Sequence, residues 1–534
     1  MVVALGSTIS LAGLYTVNSN PSGAQHEWSS TFGPTSGSMQ GVIGAMWQEV
    51  SSGSTSVRMK LGTTGSSWLA PVIWNGAQTI TLAPWSQLLL GDPYVAWDAA
   101  NSRFIFVVLA IGSGDSQVWF GTISPAGQIT VRSSPVMDFQ GAGYRWDYPS
   151  ISVKPNGHIV IGAVRQPSAV QSNPTLYRFH ISTSSDGGST FSSPVEPNSL
   201  ASQHGIWNYI GPQSRVTATT SHFNAFVPFL HPPGQIDAYG NLIGNLPYKI
   251  QWHRSIDGVS WTNMGDLLQY WTPRDQTNSA YCPQNQGGAC LPVFTAPYLD
   301  ARSAGERWVV SFPVGNGTGN NIVTCSNEAS PPACGALDWR TNTDQLLQSS
   351  SAATNFDDPN QRQDYWHAYY TQHPSLSQRL VKRAFYQSPG GGWPPAMYTL
   401  QNAAQSYSAP ILEISMDSWR ISNGPWPTDA KCAGLAYGLY TTCYDGGDYG
   451  QTASTRGQQA MMYYSLPVNG NHLGGAWLLD PPGPVREVPN ALRFAPGADL
   501  RNLFPLARGP RTGGLSPSEL AATKANLIRG RDQR

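Results

Sequence analysis

A turn containing Asp and Pro, a strand, a tight turn and a second apolar strand recur along this chain. A unit that repeats at this spacing restricts the architecture to stacked copies of itself. Asp92-Pro93-Tyr94-Val95-Ala96-Trp97 runs through Ala99–Ser102 into the apolar stretch Phe104–Ile111. About 55 residues later, Asp147-Tyr148-Pro149-Ser150-Ile151-Ser152-Val153 runs through Pro155-Asn156-Gly157 into Ile159–Val164. Looser copies join Pro212–Thr219 to Phe223–Leu230, and Pro297–Ala301 to Trp308–Val314 through Ser303–Gly305. Asp364-Tyr365-Trp366 opens another that ends in Leu380–Tyr386; the last lies between about Ser408 and Leu466, and a first is centred on Gly41–Gln48. About seven units result, each of roughly 55 to 85 residues, which is room for four antiparallel strands.

A four-stranded unit with apolar residues on both faces cannot bury both alone. Radial stacking of four to eight such units covers both faces and hides the strand edges. The expected fold is therefore all-β: a β-propeller of six to seven four-stranded blades, seven by repeat count. A pair of β-sandwich domains is the alternative, although it needs no motif recurring at blade length. The expected organisation is an N-terminal segment or first strand over 1–25, the propeller over 26–482, and an Arg-rich tail over 483–534. In that tail Ser516-Pro517-Ser518-Glu519 reads as a capping box with Pro at the first helical position, followed by a short helix Pro517–Arg529 closed by Gly530. Arg508, Arg511, Lys524, Arg529, Arg531 and Arg534 make it basic, as either a solvated, docked tail or a partner-binding one.

Composition narrows the function. Charged residues are 12% of the chain, against about 25% in average domains. The surface must be built from uncharged polar and aromatic groups. Formal net charge is zero, so there is no electrostatic footprint for nucleic acid. No apolar run is long enough for a membrane span. The six cysteines fall into close pairs, Cys282 with Cys290, Cys325 with Cys334 and Cys432 with Cys443. Without CxxC spacing or a histidine cluster, local disulfides fit better than zinc or buried thiols. The expected location is secreted, periplasmic or cell-surface, although Met1–Val17 lacks the basic start of a signal peptide. No metal or cofactor is expected.

Ser184-Ser185-Asp186-Gly187-Gly188-Ser189-Thr190-Phe191 matches the Asp-box pattern Ser-x-Asp-x-Gly-x-Thr-aromatic. A copy one residue shorter is Ser255-Ile256-Asp257-Gly258-Val259-Ser260-Trp261, and Thr63-Thr64-Gly65-Ser66-Ser67-Trp68 is a degenerate third without the Asp. The residue types suit a hairpin turn: Asp accepts turn amides, Gly supplies positive φ, and the aromatic side chain packs beneath. On these motifs the chain resembles the sialidase-like, Asp-box (bacterial neuraminidase repeat) propellers. The resemblance implies a structural role for Ser184, Asp186, Gly188, Thr190, Phe191, Ser255, Asp257, Gly258 and Trp261. It also implies a glycoside hydrolase acting on a glycan in the axial funnel, with arginines holding a substrate carboxylate. By position, Arg145, Asp147, Arg165 and Arg215 are the catalytic candidates. Asp92, Asp147 and Asp364 recur at matching strand starts, which also suits a structural role in the turns. The family's Arg-Ile-Pro motif is absent. A non-catalytic propeller that binds glycan or protein is therefore the second reading, and a polysaccharide lyase the third.

Overall fold

The computed structural model describes, with breaks of a few residues, 12–16, 24–33, 42–63, 73–82, 89–167, 178–197, 214–230, 247–271, 299–336 and the strands between 352 and 499. The helix expected at Pro517–Arg529, the pairs Cys282/Cys290 and Cys432/Cys443, and Thr64–Trp68 lie outside the described residues. Within them the chain is all-β. No helix there is long and apolar enough to cross a membrane.

The strands group into successive antiparallel sheets. The first comprises Ala24–Phe32, Val42–Ser51, Ser54–Thr63 and Ile73–Trp74, with Gln78–Thr79 also on the third strand. The second comprises Leu89–Asp98, Arg103–Ile111, Ser116–Ile123 and Ile129–Val131. The third comprises Tyr144–Val153, Ile159–Pro167 and Arg178–Ser184, with Val195 bridging Ile181 where a fourth strand would lie. Arg215–Ala218, Phe223–Leu230, Pro247–Ser255 and Thr262–Trp271 make the fourth; Asp300–Ala304, Arg307–Gly315, Asn320–Ser326 and Ala333–Ala336 make the fifth. The sixth runs from Ala352–Asn355 through Asp364–Gln372 and Arg379–Gln387 to Met397–Asn402. The last pairs Ala453–Thr455, Gln459–Leu466 and His472–Leu479, and the N-terminal strand Ala12–Thr16 adds to its far edge.

The opening strand of each sheet lies beside that of the next, and Ala453–Thr455 lies beside both Ala352–Asn355 and Ala24–Phe32. The chain thus returns on itself. Later segments extend two outer edges: Leu492–Phe494 pairs with Ala333–Ala336, and Ala498–Asp499 with Thr262–Trp271.

Two of the expected units start a strand late. Asp364 begins the second strand of its sheet, and Gly41–Gln48 overlaps the second strand of the first sheet. In both places the opening strand lacks the Asp-Pro turn that marks it in the second and third sheets.

The apolar run Arg103–Ile111 shows why the sheets must stack. Phe104, Phe106, Val108 and Ala110 join a core with Met46, Val57, Met59 and Leu61 of the first sheet. The alternating Ile105, Val107 and Leu109 join a core with Trp146, Ile151, Ile159 and Ile161 of the third. Period-two alternation sends successive side chains to opposite faces, and here both faces are buried. Each large side chain so buried is worth about 1.5–3 kcal/mol. The third and fourth strands of the fifth sheet are tied by the disulfide Cys325–Cys334, whose two residues sit opposite in register.

Candidate functional site

The two ends of these sheets are built differently. At one end lie the turns after the third strands. Ser184 Oγ donates to Asp186 Oδ1 at 2.7 Å and accepts from Gly188 N at 2.7 Å. Asp186 also receives Thr190 N at 2.9 Å and Thr190 Oγ1 at 2.6 Å. The second turn repeats the device: Ser255 Oγ donates to Asp257 Oδ1 at 2.9 Å and accepts from Gly258 N at 2.8 Å. Val259 N and Ser260 N both reach Asp257 Oδ1 at 2.8 Å. These bonds to the carboxylates hold Asp186 far below the usual range and Asp257 at about 2. The rings follow suit: Phe191 packs on Phe120 at 5.1 Å between centroids, and Trp261 Nε1 donates to Gly258 O at 2.9 Å.

At the other end the opening strands begin, and three of them break register at the same height. The interruptions fall between His26 and Ser29, between Gly91 and Tyr94, and between Asp147 and Ser150. The residue after the break serves the next strand: Ser29 Oγ accepts Val95 N at 2.9 Å, and Ser150 Oγ accepts Val216 N at 3.4 Å. Asp92 and Tyr148 occupy the left-handed region, with φ of 47° and 52°. Register therefore aligns Asp92 with Tyr148, and Asp147 with Gly91. This corrects the reading of Asp92 and Asp147 as equivalent positions. Pro93 and Pro149 share a position in the bulge while the two aspartates are offset by one, and Asp364 has no counterpart role because it opens a second strand.

The four catalytic candidates are near one another in sequence register but do not all face the same way. Asp147 is buried; its Oδ1 accepts Tyr148 N at 3.0 Å and its Oδ2 accepts Gln166 Nε2. Arg145 lies two residues earlier and directly opposite Gln166. Alternation therefore places Arg145 and Asp147 on one face, the face whose Gly162 abuts Val216 of the fourth sheet. Arg165 lies on the opposite face, in line with Ile161 and Ala163 of the core shared with the second sheet. Its guanidinium stacks on the Tyr144 ring at 3.8 Å, and its Nε is buried without a hydrogen-bond partner among the described residues. Arg215 is wholly buried: Nη1 donates to the Tyr148 carbonyl at 3.4 Å, and the guanidinium lies 5.4 Å from the Tyr94 ring centroid. It thereby links three consecutive opening strands.

Around Arg165 the fold gathers residues that sequence reasoning passed over. Arg178 sits opposite it in register and pairs with Glu196 at 3.0 Å. Burial pushes the Glu196 carboxyl up, against the pull of Arg178 and Arg165. His180 meets the Trp146 ring at 5.3 Å. Burial, helped by the two arginines, lowers its imidazole to about 4, so it is neutral at physiological pH. Alternation of Arg178 and His180 along one strand was legible. Glu196 was not, because a single bridge at Val195 brings it back to the sheet. Chemically, the cluster offers a carboxyl whose protonated form burial favours, beside two guanidinium groups and an aromatic platform.

No family model matches the chain, and no curated protein matches it. Among solved structures, it is similar to an α-L-arabinanase of Penicillium chrysogenum complexed with arabinobiose, at 8% identity over 88% of this chain and 98% of that one, TM-score 0.39. An α-L-arabinofuranosidase from Fusarium graminearum with an iminosugar inhibitor follows at 11% identity, covering 72% and 92%, TM-score 0.36. The leech intramolecular trans-sialidase gives 10% identity, 95% and 72%, TM-score 0.35. Likenesses this loose do not bear on substrate or mechanism.

Proposed function

We propose that the chain is a seven-bladed β-propeller of the sialidase-like, Asp-box group and a secreted glycoside hydrolase, acting on a glycan at the end where the opening strands begin. The observation that supports this reading is the segregation of the two ends. The turns around Asp186 and Asp257 bind their own backbone, whereas Arg145, Asp147, Arg165, Arg178 and Glu196 collect at the opposite end. In this reading Glu196, whose carboxyl burial pushes up against the pull of Arg178 and Arg165, is the proton donor for cleavage of a glycosidic bond. Arg165 contacts the sugar's anionic group from one face of the third sheet, and Arg145 contacts another part of the glycan from the other face. Arg215, buried against Tyr148, positions the bulge that carries Asp147. The Cys325–Cys334 disulfide is compatible with export.

One observation favours the second reading, a non-catalytic glycan-binding propeller. Arg145 and Arg165 lie on opposite faces of the same sheet and so do not form one clamp. Hydrolysis of a fluorogenic sialoside, run beside other fluorogenic glycosides, separates the two. A hydrolase turns over one of them and loses about a hundredfold or more in kcat/KM on Arg145→Ala, Arg165→Ala or Glu196→Gln, with the melting temperature retained. Silence across the panel, with glycan binding intact, overturns the hydrolase in favour of the binding propeller.

A further inference from the structure

An open groove of about 870 Å³ runs along the outer rim between the first and second sheets. Its walls are the short strand Gln78–Thr79 and the edge strand Ile129–Val131 with the residues that flank them. That volume falls within the roughly 300–1,000 Å³ of small-molecule sites. The groove lies on the outer strands of the first two sheets, whereas the arginine cluster lies at one end of the third.

The lining is chemically one-sided. Gln78, Thr79, Thr81, Gln128 and Ser133 offer amides and hydroxyls, and Ile129 and Val131 form an apolar strip between them. Such a mixture matches a sugar ring, which presents hydroxyls at its edge and C–H groups on its faces. Among the described residues that line it, Arg132 carries the charge. Its guanidinium lies 5.2 Å from the Phe191 ring centroid, Nη2 donates to Ser134 Oγ at 3.3 Å, and Nη1 is buried with no hydrogen-bond partner among the described residues.

The walls are also held in place before any ligand arrives. Gln78 Nε2 donates to the Gly127 carbonyl at 2.8 Å, across the two sheets. Gly127 in turn sits in a turn closed by Gly127 N to Ser124 O at 2.8 Å and Gln128 N to Ser124 Oγ at 3.1 Å. Arg58, paired with Glu49 at 3.1 Å, donates to Thr79 Oγ1. Among the described residues these bonds use the amide nitrogen of Gln78 and leave its Oε1, and the side-chain amide of Gln128, for a ligand.

We propose that this groove is a second glycan-binding site, taking a stretch of polysaccharide that carries carboxylate or sulfate groups. Arg132 holds the anionic substituent, while Gln78, Gln128, Thr79 and Ser133 bind ring hydroxyls. The site is independent of whether the arginine cluster is catalytic. It would anchor a polymeric chain at the rim.

Affinity electrophoresis of the full chain in native gels tests this, with polygalacturonate, chondroitin sulfate, neutral dextran or poly-glutamate cast into the gel. The expected result is retardation by polygalacturonate, by chondroitin sulfate or by both, which tells carboxylate from sulfate, and not by dextran or poly-glutamate. Arg132→Ala weakens it about tenfold, as expected for one charge-assisted contact. Gln128→Trp, which fills the groove from an exposed position, does the same should Arg132→Ala fail to fold. Arg145→Ala leaves the retardation unchanged, and Arg132→Ala leaves turnover of any small fluorogenic glycoside unchanged. Absence of retardation by both acidic polysaccharides overturns the proposal. So does equal retardation by poly-glutamate, or by wild type and a folded Arg132→Ala variant, whatever the glycoside assay shows.

Discussion

The third sheet ends in two contrasting ways. At the turn end, Ser184 to Phe191 satisfies itself through bonds that span a few residues, and a neighbouring sheet repeats the arrangement at Ser255 to Trp261. At the bulge end, Arg145, Arg165, Arg178 and Glu196 come from separate strands, and their partners are residues brought close by pairing. Among the described residues the Ser-Asp-Gly turn recurs on two sheets, and the cluster of Arg165, Arg178 and Glu196 lies on one. The turn end also locks sheet to sheet. Arg103, held by Asp98 at 3.1 Å, donates to the Gly187 carbonyl of the next sheet. Lys154 Nζ reaches the Ser221 and Ile256 carbonyls of the following sheet at 3.0 and 2.7 Å.

If the turn end is structural, its glycines are the places to break it. A Cβ on Gly188, at φ 92°, would sit 2.4 Å from the Phe120 ring, and one on Gly258, at φ 81°, would sit 2.2 Å from Thr183 Cγ2. Gly188→Ala should cost about 3 kcal/mol through strain and clash together, seen as a lower melting temperature. Arg145→Ala should leave melting nearly unchanged, and the reverse ranking would break the contrast between the ends. Next in size is Lys154→Met. It leaves two carbonyls without their ammonium donor and should cost about 2 kcal/mol by denaturant titration. A variant as stable as wild type would show that the link between the sheets carries no load.

Smaller effects appear as pH dependence. The folded His180 titrates at about 4, below the usual 6.5. The unfolded chain therefore binds a proton first, and stability falls as pH drops from about 6.5 toward 4. His180→Gln should flatten that part of the melting-temperature profile; an unaltered slope would place the lability elsewhere, with His253, also lowered to about 4, the next to test. Asp257 acts in a lower window. Its folded carboxylate at about 2 lies below the unfolded value, so its contribution is complete above about pH 4 and is lost as pH falls toward 2. The group is exposed, so the effect is small and salt-screened. Asp257→Asn should remove it, and a variant with the same acid limb would show that the turn holds without the charge.

The hairpins at Asp92–Ile111 and Asp147–Val164 could be read directly, because alternation and turn chemistry act over a few residues. The bulges could not. Asp92-Pro93 and Asp147-Tyr148-Pro149 look aligned at their aspartates as text, yet the pairing aligns their prolines and offsets the aspartates by one, and only the ladder reveals which residues are left out of it. The same limit hid Glu196. Nothing between Phe191 and Pro197 announces a partner for Arg178, and the meeting depends on the one bridge from Val195 to Ile181.

By itself, then, the sequence determined the local units: strands of period two, the Ser-Asp-Gly turns, the close pairing of Cys325 with Cys334, and apolar runs that demand cover on both faces. Tertiary structure decided the rest. It joined Ala12–Thr16 to His472–Leu479, laid Leu492–Phe494 and Ala498–Asp499 on the edges of earlier sheets, and brought four ionisable side chains of the third sheet to one end. The physical reason is range. Turn bonds and side-chain alternation are settled between near neighbours, whereas partners hundreds of residues apart are chosen only when the whole set of sheets packs and the chain closes on itself.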